Sequence, residues 1–366
     1  MSLTRSRVVA ASASALILVA AGCGGAAEDT AEPTSGSATE TTAWEPEYVD
    51  GKLQPLPDGF PDRPITIVIA DEASSAEGIQ ANHVQQAAES LSPVPIEIEA
   101  RTDFTGIPTW EAIEYMNNDP DGKEGYMMVA FAGVGSLADI VATPVEDATG
   151  LTLDDLQEVI TNENTAWYVS QCKEVGWEPT MESMVQYTKD HPGEVRFMAQ
   201  SGIGGSDLGF YSYMDALGAG ELDIIPVGGG LEKTAAAAAC EGDVTVATAE
   251  TTMPHVQAGR LDVLMVSGDE RFKDLPEVPT AADLGIEGGL VSSKQFVAAA
   301  DAPPQHVAWL FELMSKIAED PAYVEKREAF PGTQVFVRDP AETDQNNRDT
   351  LKVIEQVINE LGLKAE

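Results

Sequence analysis

One stretch in the middle of the chain joins a short apolar run, a glycine-rich turn and an amphipathic run. Residues 195–198 are typical of a buried strand and residues 207–217 of a helix, with Gly202, Gly204 and Gly205 between them. A chain that leaves a strand through glycines and enters a helix presents free backbone N–H groups and the positive end of the helix dipole at one place. The stretch therefore suits an anionic or strongly hydrogen-bonding ligand, with a tight turn before a packed helix as the alternative.

The same order of elements recurs along most of the chain. Strands are expected at 65–70, 95–100, 126–130, 167–170, 223–227, 243–248, 261–267 and 294–299, with helical patterns between and after them. Strands that alternate with helices through short connections are typical of parallel sheets covered by helices. From the order of the strands we expect two lobes, one formed by residues 60–150 plus 263–366 and the other by residues 151–262.

The first 22 residues have the features of a lipoprotein signal peptide. Arg5 and Arg7 precede an apolar run at 8–21, which is too short for a lasting membrane span. The run ends in VAAGC, which is similar to the bacterial lipobox, where the cysteine becomes the lipidated first residue. Residues 23–59 are rich in small, proline and acidic residues, which predicts a disordered acidic tether. We therefore expect an extracytoplasmic protein, anchored through Cys23 to the outer face of the cell membrane.

The charge of the chain excludes one class of partner. It has 61 acidic and 21 basic residues and a formal net charge of −40. Such a field repels nucleic acid, so no nucleic-acid partner is expected. A solvated acidic surface explains the charge more simply than an acidic binding patch does.

No pattern of catalytic or metal-binding residues stands out. The four histidines are far apart, and Ser201 lacks the preceding glycine of a nucleophile elbow because Ala199 stands there. We therefore expect no catalytic residue, metal or cofactor, with a hydrolase as a remote alternative. In an exported protein Cys172 and Cys240 could form a disulfide, with two buried thiols as the alternative.

Six segments carry a resemblance to a known family. They are PDRPITIV at 61–68, HPGEVRF at 191–197, SGIGGS at 201–206, IPVGGG at 225–230, MPHVQAGRL at 253–261 and LPEVPTAADLG at 275–285. This ordered set is similar to the extracytoplasmic substrate-binding proteins of the tripartite tricarboxylate transporter family. The resemblance implies a two-lobed periplasmic-binding-protein fold of type II, in which each lobe is a mostly parallel sheet flanked by helices and a hinge closes the cleft between them.

The resemblance also implies a function. A lipid-anchored, monomeric receptor would deliver a small organic acid, such as a di- or tricarboxylate or a hydroxy or amino acid, to a membrane transporter. The transporter of such a receptor consists of one large and one small multispanning subunit. A solute sensor, or a binding module of altered specificity for a cationic or zwitterionic ligand, is the alternative with the same fold.

The loops at the ends of the strands give the expected ligand contacts. These are Ala70, Asp71, Glu72, Ala73, Ser74 and Ser75; Gly133, Val134, Gly135 and Ser136; Ser201, Gly202, Ile203, Gly204, Gly205 and Ser206; and Gly228, Gly229, Glu250 and Lys294. Asp71, Glu72 and Glu250 would repel a bare carboxylate, whereas Lys294 would attract it. We therefore expect a small carboxylate that also carries hydroxyl or amino donors.

Overall fold

The computed structural model describes residues 44–104, 106–143, 145–200, 204–269, 271–286 and 290–361. The expected signal peptide, Cys23, the tether up to residue 43, and Ser201, Gly202 and Ile203 of the glycine turn lie outside these residues. From Trp44 onward the chain forms one compact unit.

Within the described residues, strands and helices alternate as the sequence predicts. The strands are β1 (Tyr48–Val49), β2 (Lys52–Leu53), β3 (Ile65–Ile69), β4 (Ile96–Ala100), β5 (Met127–Phe131), β6 (Leu156–Thr165), β7 (Trp167–Cys172), β8 (Arg196–Gln200), β9 (Asp223–Val227), β10 (Val244–Thr248), β11 (Leu261–Val266), β12 (Ser292–Ala299) and β13 (Thr333–Arg338). The helices are α1 (Ala76–Leu91), α2 (Pro108–Asn118), α3 (Pro120–Lys123), α4 (Gly133–Ala142), α5 (Val145–Thr149), α6 (Met181–Asp190), α7 (Gly205–Ala216), α8 (Gly230–Ala238), α9 (Ala249–Gln257), α10 (Pro304–Glu319), α11 (Pro321–Glu328) and α12 (Pro340–Leu361).

Six strands form the first sheet, in the order β13-β6-β12-β5-β3-β4. The strands β3, β4 and β5 are parallel, whereas β12 is antiparallel to β5 and β6, and β13 is antiparallel to β6. Every residue of β5 and β12 is buried. Helices therefore cover both faces at the centre of this sheet, as its continuous apolar strands require.

Five strands form the second sheet, in the order β11-β7-β10-β8-β9. The strands β8, β9 and β10 are parallel, and β7 is antiparallel to both β10 and β11. Both sheets are thus mixed, which corrects the expectation of mostly parallel sheets. The chain passes between the sheets twice, from β6 to β7 and from β11 to β12. These strands are antiparallel to their neighbours, so they do not need the helical crossovers that connect parallel neighbours.

Two strands lie in a different sheet from the one that the expected lobe boundaries imply. The strand β6 was not expected, and its residues were assigned to the lobe 151–262, but it pairs with β12 and β13 in the first sheet. The strand β11, expected to return the chain to the first lobe, pairs with β7 in the second sheet. Residues 294–299 were expected to form the last strand, but β13 follows them at an edge of the first sheet.

A disulfide joins Cys172, at the end of β7, to Cys240, which follows α8. Their Cα atoms are 5.4 Å apart, and 68 positions separate them in the chain. Closing a loop of this length restricts the unfolded chain and is worth up to about 4 kcal/mol in a chain-entropy treatment.

We expect the double substitution Cys172→Ser with Cys240→Ser to lower the melting temperature by several degrees, because the unfolded chain regains its freedom. Circular dichroism melts of the parent and the variant measure this change. Reducing agent should lower the melting temperature of the parent and leave that of the variant unchanged. Identical melting temperatures of parent and variant without reducing agent would contradict a stabilising disulfide.

Candidate functional site

A cavity of about 460 Å³ opens between the two sheets. Its wall includes residues that directly follow the parallel strands: Ala70 after β3, Ala132 after β5 and Gly228 after β9. Both sets of parallel strands thus direct their carboxyl ends to the same space, which is where α/β sheets bind ligands.

Five helices begin at the wall of this cavity. Their N-cap residues Ser75, Ala132, Gly204, Gly229 and Thr248 all line it. Apart from Ser75, none of these residues caps its helix with a side-chain hydrogen bond. The first backbone N–H groups of α4, α7, α8 and α9 therefore add partial positive charge to the wall, and this charge favours a carboxylate.

The structure brings most of the expected contact residues to the cavity. Those on the wall are Ala70, Asp71, Glu72, Ser75, Gly135, Ser136, Gly204, Gly205, Ser206, Gly228 and Gly229. Those away from the wall are Ala73, Ser74, Gly133, Val134, Glu250 and Lys294. Ser201, Gly202 and Ile203 lie outside the described residues. Contact between any of these residues and a ligand stays a prediction.

Glu250 lies in a buried ion-pair cluster behind the cavity. Arg327, in α11, contacts Glu163 of β6 at 2.6 Å and Glu250 at 2.6 Å, and all three side chains are fully buried. Burial alone would raise the pKa of Glu250, but the positive charges of Lys294 and Arg327 outweigh it and lower the pKa. The cluster therefore holds Glu250 as a carboxylate that joins α9 to α11. Glu250 was expected to contact the ligand, but it lies away from the cavity wall and is paired with Arg327.

Lys294 also contacts a carboxylate of the protein. Its Nζ lies 2.5 Å from Glu77 Oε1, and its side chain is almost fully buried. Burial alone would lower the pKa of Lys294, but the charges of Glu77, Glu250 and Glu163 raise it. Glu77 is on the cavity wall and Lys294 is not, so the charge that was expected to attract the ligand is paired with a carboxylate of the protein.

The wall is acidic. Its titratable side chains are Asp71, Glu72, Glu77, Asp139 and Glu232, and no lysine, arginine or histidine lines it among the described residues. Burial, together with the charges of the neighbouring carboxylates, raises the pKa of Asp71 to about 6. Burial raises the pKa of Asp139 to about 7. The cavity thus combines helix N-termini with carboxylates, of which only Glu77 has a buried counter-ion among the described residues.

Three of these carboxylates, Glu77, Asp139 and Glu232, were not among the expected contacts. Glu77 is the second residue of α1, and Asp139 and Glu232 each lie within a helix, one turn beyond the loop that enters the cavity. Asp139 is three residues after Ser136 and Glu232 three after Gly229, and such pairs share a face of a helix. Extending the expected contacts by one helical turn would have found both residues.

A buried ion pair supports the glycine turn. Asp207, in the first turn of α7, contacts Lys233 Nζ at 2.6 Å and accepts a hydrogen bond from the backbone N–H of Gln200 at 2.7 Å. Lys233 also donates to Ser206 Oγ at 3.0 Å, and this hydroxyl donates to the backbone oxygen of Val246 at 3.4 Å. The Ser206 hydroxyl, expected as a donor to the ligand, is therefore already engaged within the protein.

Two glycines let the helices of the two sheets meet. Gly205, the first residue of α7, faces Gly135 of α4, and both line the cavity. A Cβ atom at position 205 would lie 2.7 Å from the backbone nitrogen of Gly135, closer than real Cβ atoms approach a neighbour. The contact between α4 and α7 therefore requires glycine at position 205.

Among the described residues, the wall of the cavity carries no histidine, cysteine or lysine that could act as a nucleophile or pair with Ser136. The same part of the chain contains no group of three metal-ligating side chains and no helix of the length and apolarity that crossing a membrane requires.

Comparisons with known proteins agree with this geometry. Residues 140–363 match the model of the tripartite tricarboxylate transporter family receptor. The UPF0065 protein in the gbd 5' region of Cupriavidus necator is 26% identical over 317 residues, which cover 84% of this chain and 90% of that protein.

Two solved structures show the same fold at low sequence identity. Rpa4515 of R. palustris, solved with adipate, has a TM-score of 0.74 at 17% identity and covers 83% of this chain and 98% of its own. MatC from Rhodopseudomonas palustris, solved with bound malate, has a TM-score of 0.70 at 17% identity and covers 82% of this chain and 100% of its own.

The family match spans more than half of the chain and includes the second sheet, α7, α8 and α9. The fold shared with the solved structures confirms the two-sheet α/β architecture that the resemblance implied. The chain therefore belongs to the tripartite tricarboxylate transporter family of receptors, as an extracytoplasmic solute-binding protein and not an enzyme.

Proposed function

We propose that this receptor is a lipid-anchored monomer that closes on a small organic acid and delivers it to a transporter of one large and one small multispanning subunit. The observation that carries the proposal is the cavity between the two sheets, where five helices begin. Malate and adipate, present in the structures of the two neighbours, are organic acids of a size that suits such a cavity. The N-termini of these helices suit a carboxylate, because their free backbone N–H groups and the helix dipole attract anions.

The two sheets and their helices would act as lobes. On this proposal, residues 44–165 and 292–361 form one lobe and residues 167–266 form the other. The chain crosses between them at Ala166 and again through residues 267–291. Because the chain crosses between the lobes only twice, we infer that they close around a hinge at these crossings.

A screen of organic acids by thermal shift and calorimetry tests the receptor function. We expect at least one small carboxylate with hydroxyl or amino donors to raise the melting temperature, because a ligand that binds the folded state at 100 times its Kd adds about 2.7 kcal/mol of stability. A screen in which no organic acid binds would contradict the proposal.

Lipid anchoring is tested separately, on Cys23, which directly follows the signal peptide. We expect Cys23→Ala to release the protein from the membrane fraction, because the lipid would be attached to that side chain. Fractionation of cells that express each form measures the release, with Cys172→Ser as the matched control. If the Cys23→Ala protein remains in the membrane pellet like the parent, the anchor is not at Cys23.

A further inference from the structure

We propose that the cavity binds a solute that carries a protonated amine as well as a carboxylate, with the ammonium group held by Asp71 and Glu232. This inference rests on the receptor function proposed above and names the ligand class of that site. It assigns the two ends of the ligand to different parts of the wall. The carboxylate lies at the helix N-termini, and the amine lies at the acidic side chains.

The first argument is the charge of the wall. Lys294 neutralises Glu77 from behind, but Asp71, Glu72, Asp139 and Glu232 form no ion pair with any described residue. A ligand with two carboxylates and no cation would bring its second carboxylate close to this cluster, where repulsion is weakly screened. An ammonium group turns the same contacts into attraction, and its three donors suit more than one carboxylate.

The second argument is the position of Asp71 and Glu232. A methyl group built on Gly229 would lie 3.7 Å from Asp71 Oδ2 and 3.6 Å from Glu232 Oε2. The two oxygens therefore lie beside the same point of the wall, although Asp71 follows β3 of the first sheet and Glu232 is in α8 of the second. An ammonium group at this point would join the two sheets and would favour the closed form.

The third argument is an unused donor. Ser136 is buried, with 2% of its surface exposed, and its Oγ has no hydrogen-bond partner among the described residues although it lines the cavity. It lies in the first turn of α4, as does Gly135, which also lines the cavity. This hydroxyl and the N-terminus of α4 offer hydrogen-bond donors to a carboxylate, which Asp71 and Glu232 do not.

Matched pairs of ligands separate this inference from the receptor function. The dicarboxylates succinate, glutarate and adipate are compared with β-alanine, 4-aminobutyrate and 5-aminopentanoate, in which an ammonium replaces one carboxylate. Each dicarboxylate is also compared with its own α-amino derivative, which keeps both carboxylates. We expect calorimetry at pH 7.5 to give at least tenfold tighter binding for an amine-bearing compound than for its dicarboxylate. A dicarboxylate that binds as tightly leaves the receptor function intact and overturns the inference. If no compound in the panel binds, both fail.

The pH dependence of binding gives a second readout. Burial is the main cause that raises the pKa of Asp71 to about 6. The charges of nearby carboxylates raise it further: Glu77 in α1, which is paired with Lys294, Glu232 in α8, and Glu72 in the same loop as Asp71. An ammonium group requires the ionised form, so the affinity of an amine-bearing ligand should rise between pH 5.5 and pH 7.5. A dicarboxylate should bind less tightly over the same range. An amine-bearing ligand that binds more tightly at pH 5.5 would contradict the inference.

Substitutions at the two carboxylates complete the test. We expect Asp71→Asn and Glu232→Gln each to weaken binding of the tightest amine-bearing compound at least tenfold, without weakening the binding of its dicarboxylate partner. Glu89→Gln, on an exposed part of α1 away from the cavity, is the matched control and should leave both affinities unchanged. Circular dichroism melts show that each variant is folded. Folded variants that bind the amine-bearing compound as the parent does would overturn the inference.

Discussion

Replacing Arg327 with methionine is expected to lower the free energy of unfolding by about 3–5 kcal/mol, which is the cost of breaking a buried ion pair from one side. The guanidinium of Arg327 is shared between Glu163 and Glu250, and the variant would leave both carboxylates buried without it. Urea unfolding followed by circular dichroism measures the change.

Two controls show whether buried charge is the cause. Arg348→Ala removes exposed ion pairs to Asp154 and Asp344, and such pairs contribute about 1 kcal/mol or less. Adding Glu163→Gln and Glu250→Gln to Arg327→Met removes the uncompensated charges, so the triple variant should regain part of the lost stability. Equal losses for Arg327→Met and Arg348→Ala would show that the cluster contributes no more than a surface pair.

The second large effect is expected on ligand affinity. Gly205→Ala places a Cβ atom against the backbone of Gly135, where no flexible side chain can move aside. The helices α4 and α7 must then separate, which opposes the closed form. We expect the tightest-binding compound of the ligand panel to bind at least tenfold more weakly, which corresponds to about 1.4 kcal/mol.

The matched control is Gly176→Ala. Gly176 is exposed, and its nearest neighbour to an added Cβ atom is a ring carbon of Tyr187 at 4.0 Å. This variant should bind the compound as the parent does, in the same calorimetric assay. If Gly205→Ala also keeps the affinity of the parent, close contact of α4 and α7 is not part of ligand binding.

The sequence predicts those elements whose pattern is decided locally. Strands β3 and β5 are runs of apolar and β-branched residues, and both are confirmed close to their expected bounds. The helix α12 has an apolar stripe with the period of a helix and follows the expected strands, as the helical patterns at the end of the chain predict. The loops of the cavity follow from the same reasoning, because they are the small-residue segments after buried strands. Neither prediction needs information from distant parts of the chain.

The strand β6 was missed because distant partners decide its environment. It buries Glu158, Asn162 and Glu163, which read as a polar and exposed segment. Asn347 in α12 donates to Glu158 at 2.8 Å, and Asn162 donates to the hydroxyl of Tyr323 in α11 at 3.1 Å. These partners are 189 and 161 positions away, so no local pattern contains them.

The ionic contacts around the cavity escape sequence reasoning for the same reason. Glu250, in the first turn of α9 after β10, and Lys294, near the start of β12, were expected to contact the ligand, and their partners in the structure come from α11 and α1. The sequence thus shows that a charge is present near a strand. Whether the ligand or the protein compensates this charge depends on the tertiary structure.

The single residue between β6 and β7 has a consequence for the use of this receptor as a biosensor. Ala166 alone separates two strands that are hydrogen-bonded in different sheets, and its N–H donates to the backbone oxygen of Gly332 at 3.0 Å. We expect opening to twist this nearly continuous strand, because no slack loop is present there for a wide swing. A fluorescent reporter of ligand binding should therefore be placed at the mouth of the cavity, far from the twist axis, where a small rotation gives the largest change in distance.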